Sequence, residues 1–104
     1  DLGPPPSESI AGLEACAASP HPLVAYWAIT LLGRCGSRAA PAVAAIAARL
    51  APGGPTEVRQ RAAWALGKIG AAAGPARSGL EAAATDSDPR LARLASEALS
   101  ALDG

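Results

Sequence analysis

The residues able to do acid–base, nucleophilic or metal chemistry are few in this chain. His21 is the single histidine of 104 residues and sits in the turn "SPHP". Its place just before an apolar run predicts a surface position at a helix N-cap. A catalytic base or a metal ligand would need partners at workable spacing, and the sequence offers none. Asp86 and Asp88, in "TDSDP", suggest a cation site at first sight. A calcium loop needs more oxygen ligands and a glycine at fixed spacing, so helix capping is expected to explain both. Cys16 and Cys35 are too few for a disulfide scaffold or a zinc site. They fall near the ends of consecutive predicted helices. An antiparallel pair would hold them on the order of 15 Å apart, too far for a bridge. They read as two small hydrophobes and leave the redox compartment open. No Ser-His-Asp or Cys-His arrangement can be built, and no Gly-rich phosphate loop follows a strand. The expectation is a protein that is not an enzyme and holds no cofactor or metal.

What remains is the chemistry of rings and cations. The stretch "VRQRAAWALGKIG", residues 58 to 70, places Val58, Ala62, Leu66 and Ile69 at spacings of 4, 4 and 3. Those positions share one helical face. Arg61, Trp64 and Lys68 fall on the other side, where water is expected. Trp, Tyr and Arg are the types enriched at interface hot spots, and a large amphipathic ring buries area while its N–H finds a partner.

The elements that position these residues follow from composition and period. Half of the residues are hydrophobic, largely Ala, with Phe and Met absent and a single Tyr. A core of Ala removes little apolar area, so it must be thin, while Ala favours helix over any other state. Sparse β-branched residues without alternation exclude strands. The length suits one domain. Nine Lys plus Arg balance nine Asp plus Glu, which removes the simplest argument for nucleic acid or an anionic membrane. No apolar run reaches the roughly 20 residues of a membrane span. Residues 1–7 of the opening "DLGPPPSES" read as a Pro/Ser-rich linker or arm. Without an initiator Met or a signal peptide, something upstream is expected to have been removed or to lie outside this chain.

Residues 8–104 then form one repeat domain. "LVAYWAITLLGRCG" (23–36), "EVRQRAAWALGKIG" (57–70) and "RLARLASEALSALD" (90–103) superpose at offsets of 34 and 33. Val24, Val58 and Leu91 match, as do Ala28, Ala62 and Ala95; Leu32, Leu66 and Leu99; and Cys35, Ile69 and Leu102. Gly33, Gly67 and Ser100 also match, and a small residue there lets a neighbouring helix approach closely. Between them, "PAVAAIAARLA" (41–51) matches "PARSGLEAAAT" (75–85), with Pro41 and Pro75 in the first helical turn. Ile46 and Leu80 are the buried anchors, and Leu13 is the anchor in 8–18. The predicted hairpins pair 8–18 with 22–35, 41–51 with 56–69, and 75–85 with 89–102. They give repeats of about 8–36, 41–70 and 75–103. A lone hairpin cannot bury its apolar face; stacked hairpins can, and three are about the minimum.

The string "VRQRAAWALGKIG", the "DSDP" before the third copy and the prolines opening the outer helices resemble HEAT repeats, of the short bacterial type also found in phycobilin lyases. The resemblance covers about residues 8 to 103. The Arg of that pattern is present as Arg59 and replaced by Ala25 and Ala92. The resemblance implies an all-α, armadillo-like fold, a short right-handed α-solenoid of three antiparallel helical hairpins. It also implies that the second helices line an inner, concave surface.

On that surface the outward positions are Tyr26, Trp27, Thr30 and Arg34 in the first copy, and Gln60, Arg61, Trp64 and Lys68 in the second. Arg93, Leu94, Glu97 and Ala101 follow in the third. All three aromatics fall there. With neighbouring helices about 10 Å apart, Trp27 and Trp64 are expected to flank one groove rimmed by Arg34, Arg61, Lys68 and Arg93. Two roles fit the rings: the centre of a protein-binding surface, or cover for the thin core with Arg stacked over Trp. Leu91, Leu94, Leu99 and Leu102 make the last helix apolar over more than one face. It either docks on another domain or subunit or packs broadly on its own array. A protein-interaction scaffold leads the function classes. Nucleic-acid binding through the local Arg/Lys stripe is second, and a chromophore-lyase-like role, implied by resemblance alone, is third.

Overall fold

The computed structural model of the protein describes residues 7–103. Among the described residues six α-helices follow one another: α1 Ser7–Ala17, α2 Pro22–Cys35, α3 Val43–Ala48, α4 Thr56–Ile69, α5 Arg77–Ala83 and α6 Pro89–Asp103. Two 3-10 helices, Gly36–Ala42 and Gly70–Ala76, lead into α3 and α5. Among the described residues there is no strand. The linker expected at 1–7 lies outside the described residues except for Ser7, which opens α1.

The starts of the second helices follow from local chemistry. Pro22 occupies the first turn of α2 behind His21, whose extended backbone makes it the N-cap although its ring caps nothing. The hydroxyl of Ser19 instead accepts the His21 N–H at 3.1 Å. Pro55, extended at ψ 133°, precedes α4. Asp88 caps α6, its carboxylate accepting the Leu91 N–H at 3.1 Å, with Pro89 at the first position where no N–H is needed. Gly36 and Gly70 end α2 and α4 with φ of 61° and 75°, a region that β-carbons disfavour.

The outer helices are shorter than the sequence suggests. Pro41 and Pro75 sit inside the 3-10 segments rather than in a first α-turn. α3 and α5 therefore begin at Val43 and Arg77 and end at Ala48 and Ala83. A proline has no N–H to give to an α-helical bond, and its ring crowds the turn before it. The chain therefore closes tighter i→i+3 bonds there, from Val43 N–H to the Ala40 carbonyl and from Arg77 N–H to that of Gly74.

The hairpins α1–α2, α3–α4 and α5–α6 stack into two layers. α2 packs on α4 and α4 on α6 in one layer, while α3 touches α1 and α5 in the other. Ile29, Leu32, Ile46, Val58, Leu66, Leu80 and Leu91 are the largest fully buried side chains, and Ala fills the space between. Close approach is carried by the two matched glycines. A β-carbon on Gly33 would lie 3.1 Å from the Cα of Ala65, and one on Gly67 would lie 3.3 Å from the Cα of Ala98.

Matched positions do not share one environment. Val58 and Leu91 are buried, but Val24 is 39% exposed. Val58 lies beside Pro22 and Leu23 in the first turn of α2, whereas among the described residues no earlier second helix covers Val24. Leu13, Cys35 and Leu99 are half-buried rather than core. On α6, Leu91 and Leu102 are buried, Leu94 and Leu99 half-buried, and Ser96, Glu97 and Ser100 exposed. The last helix therefore packs broadly on its own array and turns a polar edge outward.

Candidate interaction surface

The outward row of α4 carries Arg61, Trp64 and Lys68, each about one turn from the next and so able to touch it along the helix, with Gln60 beside them. Arg61 is held between two rings. Its guanidinium carbon lies 4.7 Å from the centre of the Tyr26 ring and 4.6 Å from that of Trp64. One of its nitrogens donates a hydrogen bond to the Tyr26 hydroxyl. The Lys68 ammonium lies 5.9 Å from the Trp64 ring. A tryptophan among cations is thus satisfied electrostatically, each cation sitting near a negative ring face. Trp64 is also half-buried, packed against the core. It lies where Gly33 lacks a side chain: a β-carbon there would meet the ring at 2.6 Å.

Tyr26, rather than Trp27, is the α2 ring in this cluster. Successive residues of a helix point about 100° apart, so a shift of one residue changes the face. Trp27 is 59% exposed and shares its face with Leu23 and Val24, also exposed. In place of a single groove flanked by Trp27 and Trp64, two clefts run along α4 and α6 and share Trp64 and Leu94. One, about 390 Å³, is lined by Tyr26, Arg61, Trp64 and Leu94 together with Glu57, Gln60 and Arg90. The other, about 330 Å³, runs along Gly67, Lys68, Glu97 and Ala101 on the far side of Trp64 and Leu94. Trp27, Arg34 and Arg93 are exposed and line neither. Glu57 and Arg90 escaped the sequence reading. The signal was their spacing, one helical turn before Arg61 and Leu94.

A polar staple supports this surface from beneath. Arg59, 9% exposed, donates through Nε to the Leu50 carbonyl at 3.1 Å and through Nη2 to Asp86 Oδ2 at 2.9 Å. Asp86 also accepts the Asp88 N–H at 2.9 Å, and Gln60 Nε2 donates to Asp88 at 2.7 Å. The two aspartates are thus not both caps: Asp88 caps α6 and Asp86 is the ionic partner of Arg59. The Asp88 N–H, and next the Arg59 guanidinium, hold the Asp86 carboxyl below its ordinary value, against the opposing effect of burial. With its oxygens so engaged, the pair has a structural task. Cys16 and Cys35 are free thiols, both half-buried.

The family model described as HEAT repeats matches residues 10–102. No curated protein matches the chain.

Proposed function

The chain belongs to the HEAT-repeat family, and on that premise we propose that it is an interaction module receiving a segment of a protein partner on the α2–α4–α6 face. HEAT repeats generally mediate protein–protein interaction and are typically scaffolds rather than catalysts. Among the described residues no helix is long and apolar enough to cross a membrane. The observation that carries the reading is Arg61, fixed between Tyr26 and Trp64 at the wall of the 390 Å³ cleft. A guanidinium already ordered by two rings loses little freedom on binding, so its contacts with a partner are not offset by ordering. Leu94 supplies apolar area beside it, and Lys68 extends the surface past Trp64.

The test is affinity capture from the native source with three proteins of matching helical circular dichroism: the wild type, an Arg61→Ala/Trp64→Ala variant and Trp27→Ala. Capture of one partner by the wild type and Trp27→Ala, but not by the double variant, supports the cleft as the working surface. Capture that survives in the double variant overturns it.

A further inference from the structure

The chain is neutral as a whole, but its charges are not evenly placed. The cleft is lined by Arg61 and Arg90 against Glu57, and the second cleft beyond Trp64 by Lys68 against Glu97. Two arginines elsewhere in the array do have acids: Arg59 pairs with Asp86 and Arg77 with Asp103. Arg61 has no carboxylate partner among the described residues; its one hydrogen bond goes to the Tyr26 hydroxyl. The Arg90 side chain, exposed at the start of α6, makes no hydrogen bond or ion pair with any described residue. Both line the same cleft, with Leu94 one turn after Arg90. A guanidinium has five N–H donors in a planar fork, and a carboxylate is the group whose two oxygens fit it side by side.

We propose that this cleft binds an acidic protein segment, in which a side-chain carboxylate is received by Arg61 and Arg90 while a neighbouring aliphatic side chain lies on Leu94 and the Trp64 ring. This rests on the interaction-module reading and specifies its partner. At about 390 Å³ the cleft is at the small end of ligand sites. It takes one or two side chains of an extended segment, not a whole helix. Glu57 on the same wall decides between acidic protein and nucleic acid. A phosphate backbone presents negative charge continuously and meets Glu57 with repulsion. A peptide presents a carboxylate beside backbone N–H groups, which Glu57 accepts.

The test uses the full chain labelled with nitrogen-15, reading the Arg61 Nε–H and the two indole N–H signals. Three probes are added: a blocked peptide of alternating Glu and Leu, the same peptide with Gln for Glu, and a single-stranded oligothymidylate. The acidic peptide is expected to move the Arg61 and Trp64 signals saturably, with dissociation constants of about 1 mM or tighter, and to leave the Trp27 indole unmoved. The Gln peptide is expected to bind at least about tenfold more weakly, and Arg61→Lys to weaken the acidic peptide by about the same factor, because an ammonium cannot make the paired contact. Equal response to the two peptides, or no saturable shift, overturns the acidic assignment. So does tighter binding of the oligothymidylate with a steep salt dependence. A partner captured through Arg61 and Trp64 while the acidic peptide is silent removes only this inference. A partner captured equally by the Arg61→Ala/Trp64→Ala variant removes the interaction-module reading of the cleft as well.

Discussion

Arg59 and Asp86 stand 27 residues apart in sequence and meet at 2.9 Å, joining the second hairpin to the turn that opens the last helix. The same guanidinium also donates through Nε to the Leu50 carbonyl, just after α3. One side chain thereby ties three elements. Removing it leaves the Leu50 carbonyl and the Asp86 carboxylate without this donor. Arg59→Ala is expected to lower unfolding free energy by about 2 kcal/mol, read from a urea transition with unchanged slope. A loss below about 0.5 kcal/mol would show the staple to be idle.

The pH dependence of that staple has a defined sign. The Asp86 carboxyl is more acidic in the folded chain than its ordinary value of 3.8. The unfolded chain therefore takes up the proton more readily. The stabilisation is complete above pH 3.8 and disappears as pH falls from there through the lower folded value. Melting temperature measured from pH 6 down to pH 2, an interval of about 4 units, should fall more steeply for the wild type than for Asp86→Asn. Parallel curves would remove Asp86 from the acid response.

Gly33→Ala is expected to be more harmful than Gly67→Ala. The first puts a methyl 2.6 Å from the Trp64 ring and 3.1 Å from the Ala65 backbone; the second meets Ala98 at 3.3 Å. Overpacking of this kind costs about 1–3 kcal/mol, against roughly 1 kcal/mol gained in helix propensity. Gly33→Ala should therefore destabilise and red-shift Trp64 emission, while Gly67→Ala should lie near neutral. The reverse order in thermal melts would contradict the packing described.

The two tryptophans should separate cleanly in stability. Trp27, 59% exposed, makes little of the fold, so Trp27→Ala is expected within about 0.5 kcal/mol of the wild type. Trp64 packs on the core and on the bare face of Gly33, so Trp64→Ala should cost about 2 kcal/mol. Acrylamide should quench Trp27 more strongly than Trp64, measured in single-tryptophan variants with Phe at the other position.

Much of this was legible in the residues. The spacing of Val58, Ala62, Leu66 and Ile69, and its echo at offsets of 34 and 33, carries the three second helices, because an apolar stripe at helical period has few other uses. The matched glycines carried the close approach of those helices. The 3-10 segments were not legible: Pro41 and Pro75 suit an α-helix start and a 3-10 turn equally well, and only the bonds closed by Val43 and Arg77 decide. Nor was the exposure of Val24, since repeat equivalence says nothing about which copy lacks a neighbour. The choice of Tyr26 over Trp27 rests on a single step around α2, finer than period arguments resolve. The Arg59–Asp86 contact joins different repeats, and no spacing rule within one helix reaches it.

The single rung formed by Arg59 makes the array mechanically uneven. Its repeat equivalents are Ala25 and Ala92, which can form no such rung. The junction between the second and third hairpins behaves as a bolted joint. That between the first and second has no such ion-pair rung among the described residues and is held instead by the close seat of Gly33 on α4 and by Arg61 joined to Tyr26, so the contact that fastens α2 to α4 is also the wall of the cleft.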